Sequence, residues 1–183
     1  MNFRNIIATS TSVAFGCSHT WGVGVEPNET WAYHVGSKNF GVSGCSADYI
    51  LRIAPDIINT HNPSVIYILW PDWTRFEYIE DGIYHQSLPT DANRINLMAT
   101  HTEEWLLDNF AKRTKEMRET CNKHNIKLVD ITLYDLIPHM DHADKWPLSK
   151  LGHHYAPSWH TQVAEIFKNA LDNSITSFAL RNN

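Results

Sequence analysis

Two segments of this 183-residue chain carry residue types that could perform acyl transfer. The first is Gly16-Cys17-Ser18-His19-Thr20, which places a hydroxyl directly after a short apolar run. The second runs from Gly152 to His160 and places three histidines just before or within the start of a predicted helix. A hydroxyl nucleophile and an imidazole base are the minimum that acyl transfer needs. Ser18 and the downstream histidines are therefore the candidate reacting groups.

Short apolar runs and amphipathic stretches alternate along the chain and predict the elements that must position these groups. Apolar, partly β-branched runs predict buried strands at Val13–Phe15 and Val65–Trp70, and two further strands are predicted at Lys38–Gly41 and Lys127–Ile131. Helical spacing predicts four helices, at about 28–35 with Asn28 as N-cap, 46–60, 102–122 and 157–171. Pro55 is expected to kink or interrupt the second helix. An irregular excursion is predicted over 73–100 and a loop over 133–156.

This alternation of strands and helices predicts a mainly parallel sheet covered on both faces, a three-layer α/β/α fold of flavodoxin-like type. No Gly/Ser-rich or Pro-rich stretch divides the chain, so residues 1–183 are expected to form one domain. Ligands of such sheets bind at the carboxyl ends of the strands. Ser18, Gly44, Asp72 and the 133–156 loop all follow predicted strands, which places the candidate site at that edge.

These segments resemble the short sequence blocks of the SGNH, or GDSL-like, hydrolases. Gly16-Cys17-Ser18-His19-Thr20 resembles the first block, usually Gly-Asp-Ser-His/Asn-Thr, and the resemblance implies Ser18 as nucleophile. Asn39-Phe40-Gly41-Val42-Ser43-Gly44 resembles the second block and implies that Gly44 joins Ser18 in supplying backbone N–H groups to an oxyanion hole. His154 matches the base of the last block, usually Asp-x-x-His-Pro. The resemblance implies an α/β/α hydrolase domain spanning nearly the whole chain.

Four positions depart from the family pattern. Cys17 replaces the aspartate before the serine, and Leu151 replaces the aspartate three residues before the base. The proline after the base comes two residues late, at Pro157. Pro71 in Leu69-Trp70-Pro71-Asp72 replaces the asparagine donor of the oxyanion hole and has no N–H of its own. Loss of one such donor typically lowers turnover by about 100- to 1,000-fold.

Other residues near these blocks are candidates to supply the missing roles. Asp141 or Asp144, or a backbone carbonyl, could orient His154, and Arg75 could replace the missing oxyanion donor. His160 either orients His154 or simply packs. His19 is interpreted as a wall or hydrogen-bonding residue of the pocket, and Asp72 as a further supporting group.

Each functional interpretation competes with a structural one. Ser18 could be an ordinary turn or N-cap residue, and His153 or His160 could replace His154 as the base. Cys17 could act as a thiolate nucleophile, although a small buried residue is the preferred interpretation. A metal cluster could be formed by loop and block residues, but solvated turns are the preferred interpretation and no metal or cofactor is expected; its members would be His139, Asp141, His142, Asp144, His153 and His154.

Composition limits the partners and the compartment. The formal net charge is −5, and no basic run is long enough to favour nucleic acid. No run approaches a membrane span, and the N-terminal residues are too polar for a signal peptide. Three cysteines do not make a disulfide framework, which favours a reducing, cytoplasmic location; virion association is a second option, and the oligomeric state stays open.

Two functions fit the sequence. The first is an esterase that cleaves a small acyl ester or an acetyl ester on a carbohydrate through Ser18 and His154. The second is a protein that keeps the fold but has lost efficient chemistry, and that binds carbohydrate or serves a structural role. The paired loss of the family's groups at Pro71 and Leu151 motivates the second. Clustered aromatic residues suit stacking on sugars in either case.

Overall fold

The computed structural model of the protein describes residues 11–86, 101–136, 148–149 and 154–172. Four parallel strands form one sheet in the order β2-β1-β3-β6, namely Ser12–Gly16 (β1), Lys38–Asn39 (β2), Val65–Trp70 (β3) and Lys127–Thr132 (β6). Strand β1 pairs with β3 in a register that places Phe15 opposite Ile68. Strand β3 pairs with β6, with Ile68 opposite Asp130. The first strand lies inside the sheet, as the doubly wound flavodoxin-like order requires.

Helices cover both faces of this sheet. The helices are Ser18–Trp21 (α1), Trp31–His34 (α2), Ala47–His61 (α3), Glu103–Lys123 (α4), Leu133–Leu136 (α5) and Pro157–Asp172 (α6). One core cluster joins α3 and α4 to Phe15, Ile68 and Trp70 on one face. A second cluster joins α2 and α6 to Tyr67 and Leu69 on the other. The predicted three-layer α/β/α fold is confirmed.

Local capping chemistry sets the helix boundaries. The Ser46 hydroxyl accepts a hydrogen bond from the Tyr49 N–H, and the helix continues through Pro55 without interruption. An interruption at Pro55 is therefore a wrong expectation, because tertiary packing holds the turn that lacks one hydrogen bond. Asn62, in a left-handed conformation with φ of 42°, ends the helix.

The helix predicted from Asn28 begins later than expected. Residues Pro27–Glu29 form a 3-10 turn, closed by a reciprocal capping box between Glu26 and Glu29. Helix α2 then starts at Trp31, because the Thr30 hydroxyl accepts a hydrogen bond from the Tyr33 N–H at 3.2 Å. Asn28 as N-cap is therefore wrong.

An antiparallel hairpin replaces part of the excursion predicted over 73–100. Its strands are Glu77–Glu80 (β4) and Ile83–Gln86 (β5), joined by Asp81-Gly82, both with positive φ. Arg52 of α3 forms a bidentate ion pair with Glu77, and the Ser46 N–H donates to Gln86 Oε1 at 2.9 Å. These contacts attach the hairpin to the start of α3. The predicted loop over 133–156 likewise contains α5, and residues 137–147 lie outside the described part.

Candidate active site

The turn after β1 places Ser18 at the carboxyl edge of the sheet. Gly16 ends the strand with φ of 153°, and a Cβ there would collide with the Thr20 hydroxyl and lie 2.6 Å from the Leu69 carbonyl oxygen. Only glycine fits this close approach. Ser18 then opens α1 and is 7 % exposed. Its Oγ donates to Cys17 Sγ at 4.0 Å, a long and weak contact.

Cys17 is a buried residue at the N-cap of α1. It makes no side-chain capping hydrogen bond and packs with the core cluster on the α3 and α4 face. This environment suits a small apolar side chain better than a carboxylate. The position that the family fills with aspartate is therefore a packing position in this chain.

The second sequence block is attached directly to α1. Asn39 Nδ2 donates to the Thr20 carbonyl oxygen at 2.6 Å, and Asn39 Oδ1 accepts from the Gly41 N–H at 2.8 Å. A Cβ on Gly41 would lie 2.5 Å from the Trp21 nitrogen, so the two segments touch backbone to backbone. Asn39 is a residue of the site that the sequence analysis left without a role; its place in the second block was the available signal.

Gly44 follows this contact in a tight turn. Its φ is 81°, and the Cys45 N–H closes the turn by donating to the Val42 carbonyl oxygen at 3.2 Å. The Val42 N–H in turn donates to the Gly16 carbonyl oxygen. Gly44 and Ser18 therefore follow neighbouring strands at the same sheet edge, as predicted.

The structure brings His154 against α1, across 135 positions of sequence. Its ring centroid lies 5.1 Å from that of His19, the residue after Ser18. His19 also stacks on Tyr155 at 5.2 Å and lies 5.3 Å from Trp159. Tyr155 was not among the predicted site residues; adjacency to His154 was its only sequence signal.

The backbone of His154 is fixed by a short bridge. Leu148 pairs with Tyr155 in an isolated antiparallel bridge, and the Ser149 N–H donates to the His154 carbonyl oxygen at 2.5 Å. His154 is half-buried, so part of the residue is open to solvent while its backbone is held by the bridge.

Burial keeps His19 neutral at ordinary pH. Loss of water around the ring, with smaller contributions from the charges of His154 and Arg75, lowers the pKa of His19 to about 4. A neutral imidazole beside Ser18 and His154 can donate or accept one hydrogen bond at each ring nitrogen. Nδ1 of His19 is buried and makes no hydrogen bond among the described residues, so the contacts shown for His19 are ring contacts and its hydrogen-bonding role stays a prediction.

His160 is a buried histidine that packs against Trp159. The Trp31 N–H donates to His160 Nδ1 at 3.3 Å, and the residue is 1 % exposed. Burial, followed by the charges of His19, His34 and His154, lowers the pKa of His160 to about 3. The sequence left two roles open for His160, orienting His154 or packing. The hydrogen bond at His160 Nδ1 fits packing, because it joins α6 to α2.

The end of β3 contributes Asp72 and Arg75. Asp72 Oδ1 accepts from the Thr74 N–H and hydroxyl, and Oδ2 accepts from the Tyr134 hydroxyl at 2.8 Å. Burial acts to raise the pKa of Asp72, but these hydrogen bonds and the charge of Arg75 outweigh it and lower that pKa. Both carboxylate oxygens of Asp72 are therefore engaged in hydrogen bonds within the protein. Tyr134 is a partner that the sequence did not indicate.

Several predicted residues cannot be placed. Asp141, Asp144 and Leu151, with the rest of the proposed metal set at His139, His142 and His153, lie outside the described residues. Within the described ranges, no three His, Cys, Asp or Glu side chains are grouped as metal ligands. No helix in those ranges is long and apolar enough to cross a bilayer.

The parallel sheet order, the helices on both faces and the serine and histidine segments at one edge define the fold of the SGNH, or GDSL, hydrolases. The resemblance found in the sequence is thus confirmed for the fold. A lipolytic protein of the G-D-S-L family from Desulfitobacterium hafniense superposes with a TM-score of 0.58 at 14% identity, covering 87% of this chain and 98% of that one.

Two further solved structures share the fold. A GDSL-like lipase from Bacteroides thetaiotaomicron gives a TM-score of 0.56 at 14% identity, over 89% of this chain and 88% of that one. A two-domain esterase active on acetylated mannans gives 0.52 at 13% identity, over 94% of this chain and 51% of that one. No protein-family sequence model matches the chain, and no curated protein matches it in sequence.

Proposed function

We propose that this protein is a serine hydrolase of SGNH type that cleaves a small acyl ester or an acetyl ester on a carbohydrate. The observation that carries the proposal is the contact between His154 and His19, because it brings the predicted base beside the helix that begins with Ser18. Acyl transfer requires this proximity of nucleophile and base.

The proposed reaction passes through a tetrahedral intermediate and an acyl group on Ser18. Ser18 Oγ attacks the ester carbonyl carbon while His154 accepts the hydroxyl proton. The backbone N–H groups of Ser18 and Gly44 stabilise the negative oxygen of the tetrahedral intermediate. His154 returns the proton to the departing alcohol, and water, activated by His154, then releases the acid from Ser18.

The Ser18 hydroxyl must rotate for this reaction. In the structure it donates to Cys17 Sγ at 4.0 Å, and a sulfur contact of this length restrains a hydroxyl weakly. Catalytic hydrogen bonds are often formed only once substrate is bound. Rotation about the Cα–Cβ bond of Ser18 is thus a small cost.

A carbohydrate ester is the favoured substrate class. Tyr155 is half-buried and stacks on both His19 and Trp159, with the Trp159 centroid 4.8 Å away. Aromatic side chains grouped in this way beside the predicted base suit stacking on a sugar. The mannan-active esterase with the same fold supports this choice.

Hydrolysis of p-nitrophenyl acetate tests the assignment. Ser18→Ala and His154→Gln should each reduce turnover to near background, and a fluorophosphonate probe should label the wild type but not Ser18→Ala. Ser64→Ala, which removes an exposed hydroxyl on the loop before β3, is the matched control and should retain full activity. Wild-type turnover by Ser18→Ala would refute the proposal.

A binding protein without efficient chemistry is the second candidate. The observation that favours it is Pro71, which is buried at the end of β3 and cannot donate a backbone hydrogen bond. In this case the fluorophosphonate probe would leave Ser18 unlabelled, while oligosaccharides would still quench tryptophan fluorescence.

A further inference from the structure

Arg75 is a half-buried cation that forms no salt bridge with a carboxylate among the described residues. Its Nε and Nη1 atoms are shielded from solvent and make no hydrogen bond there. The nearby carboxylate of Asp72 is occupied by Thr74 and Tyr134. An unpaired buried charge is costly, so folds usually compensate it.

The other arginines described by the structure show this usual compensation. Each pairs with a carboxylate at 2.6 to 3.0 Å, in the pairs Arg52–Glu77, Arg113–Asp48 and Arg118–Asp130. Arg75 differs from all three.

Arg75 follows β3, the strand that pairs with β1 before Ser18, so its backbone lies at the same edge of the sheet as the serine turn. The positive charge of Arg75 contributes to lowering the pKa of His19, next to Ser18, where burial is the main cause. It also acts against the burial that raises the pKa of Cys45, next to Gly44. The charge of Arg75 thus acts on His19 and Cys45, the residues that follow Ser18 and Gly44 in sequence.

We propose that Arg75 binds the oxyanion of the tetrahedral intermediate and supplies the donor that Pro71 cannot. This inference rests on the proposed function. The carbonyl oxygen gains its negative charge when Ser18 Oγ bonds to the carbonyl carbon, and loses it when the alcohol leaves. A planar guanidinium offers N–H donors in a geometry that suits a negative oxygen. No proton is transferred by Arg75.

The kinetic test uses a neutral ester, p-nitrophenyl acetate, with full-length variants. Arg75→Ala should lower kcat by about 100-fold while KM stays nearly unchanged. Added guanidinium ion at millimolar concentration should restore part of the lost kcat. Arg52→Ala is the matched control. Arg52 pairs with Glu77 of the hairpin that follows Arg75 and has no part in the proposed reaction, so the kcat of this variant should not respond to guanidinium.

Two kinetic outcomes would overturn the inference. One is wild-type kcat in Arg75→Ala. The other is a loss confined to KM, which would assign Arg75 to binding of a permanent anion in the ground state. If Arg75→Ala does not fold, Arg75→Lys takes its place, and a loss of kcat is again expected because a compact ammonium cannot reproduce the planar donor.

The affinity for acetate ion tests anion binding by Arg75 separately from the chemistry of Ser18. Ser18→Ala should bind acetate, detected by calorimetry, and Ser18→Ala/Arg75→Ala should bind it at least about tenfold more weakly. Equal affinities would overturn the role of Arg75. Equal hydrolysis by wild type and Ser18→Ala would instead refute the proposed function, so the two failures are distinguishable.

Discussion

The imidazole of His19 lies against the imidazole of His154, with centroids 5.1 Å apart and planes inclined at 51°. The charges of His19 and His154 both contribute to lowering the pKa of His160. Burial lowers the pKa of both His19 and His160, so the fold is built around the neutral forms of these two rings.

Acid should destabilise the protein through these two rings. The pKa of His19 falls from 6.5 to about 4 and that of His160 to about 3 on folding, because burial disfavours the charged rings. The unfolded chain then binds more protons, so the free energy of unfolding is fully present above pH 6.5 and declines as the pH falls toward 4 and then 3. Each unit of pKa depression corresponds to about 1.4 kcal/mol.

Urea denaturation between pH 4 and pH 7.5 measures this slope. His19→Gln should flatten it, whereas His124→Gln, at an exposed position after α4, should leave it unchanged. An identical slope in His19→Gln and wild type would show that His19 is not a source of acid sensitivity.

Gly41→Ala should separate the second block from α1. Its added Cβ would lie 2.5 Å from the Trp21 nitrogen, so backbone must move, and we expect a loss of about 3 kcal/mol in the free energy of unfolding. Activity should fall as well, because Ser18 and Gly44 would shift relative to each other.

Gly36→Ala is the control for Gly41→Ala. Gly36 has φ of 72° but open space around its Cβ position, so this variant incurs only left-handed strain of about 1 kcal/mol. Equal losses in the two variants would refute the importance of the close approach.

Arg118→Met should destabilise the protein more at neutral pH than in acid. Asp130 is buried, and its Oδ2 accepts from Trp70 Nε1 at 2.8 Å and from Arg118 Nη2 at 3.0 Å. Burial raises the pKa of Asp130, although Trp70 and Arg118 oppose this effect. Removing Arg118 raises that pKa further, so stability declines as the pH rises and Asp130 ionises.

The expected loss for Arg118→Met at pH 7.5 is about 2 kcal/mol, less than for a fully buried pair because Arg118 is 39 % exposed. Denaturation at pH 5 and pH 7.5 gives the difference. The double variant Arg118→Met/Asp130→Asn should recover most of the lost free energy of unfolding. A double variant as unstable as Arg118→Met would show that the loss does not come from ionisation of Asp130.

Tyr134→Phe should raise the pKa of Asp72. The Tyr134 hydroxyl donates to Asp72 Oδ2 at 2.8 Å and stabilises the ionised carboxylate. Titration followed by carbon-13 NMR of the carboxyl group would report the shift. Tyr33→Phe, at an exposed position on α2, should leave the Asp72 titration unaltered, and a shift of equal size there would rule out the specific contact.

Local sequence was sufficient for the layers of the fold but not for the attachment of the hairpin. Val65–Trp70 is continuously apolar and Thr102 caps α4, so strand and helix follow from adjacent residues. The hairpin has a local signal in the Asp81-Gly82 turn, which the prediction of an irregular excursion overlooked. Its attachment to α3 depends on the Arg52–Glu77 ion pair and the hydrogen bond between Ser46 and Gln86, whose partners are distant in sequence. Such contacts cannot be inferred from periodicity.

The candidate site divides in the same way. The glycine and serine of the β1 turn, and the edge at which they lie, followed from sequence order and the parallel sheet. The contact of His19 with His154 and the isolation of Arg75 did not, because both depend on side-chain packing between separate segments. The position of Thr30 rather than Asn28 as N-cap was decided by competition between neighbouring caps.

The two hydrogen bonds of the Asn39 side chain join the serine turn and the Gly41 segment into a single structural unit. Because Asn39 holds Thr20 with one side-chain atom and Gly41 with another, neither segment keeps its shape if transplanted alone. A graft of this site onto another parallel sheet would have to carry residues 12–45 together, with the two neighbouring strands that support them. Recombination breakpoints inside that stretch should be selected against, whereas exchange beyond it would leave the serine turn intact.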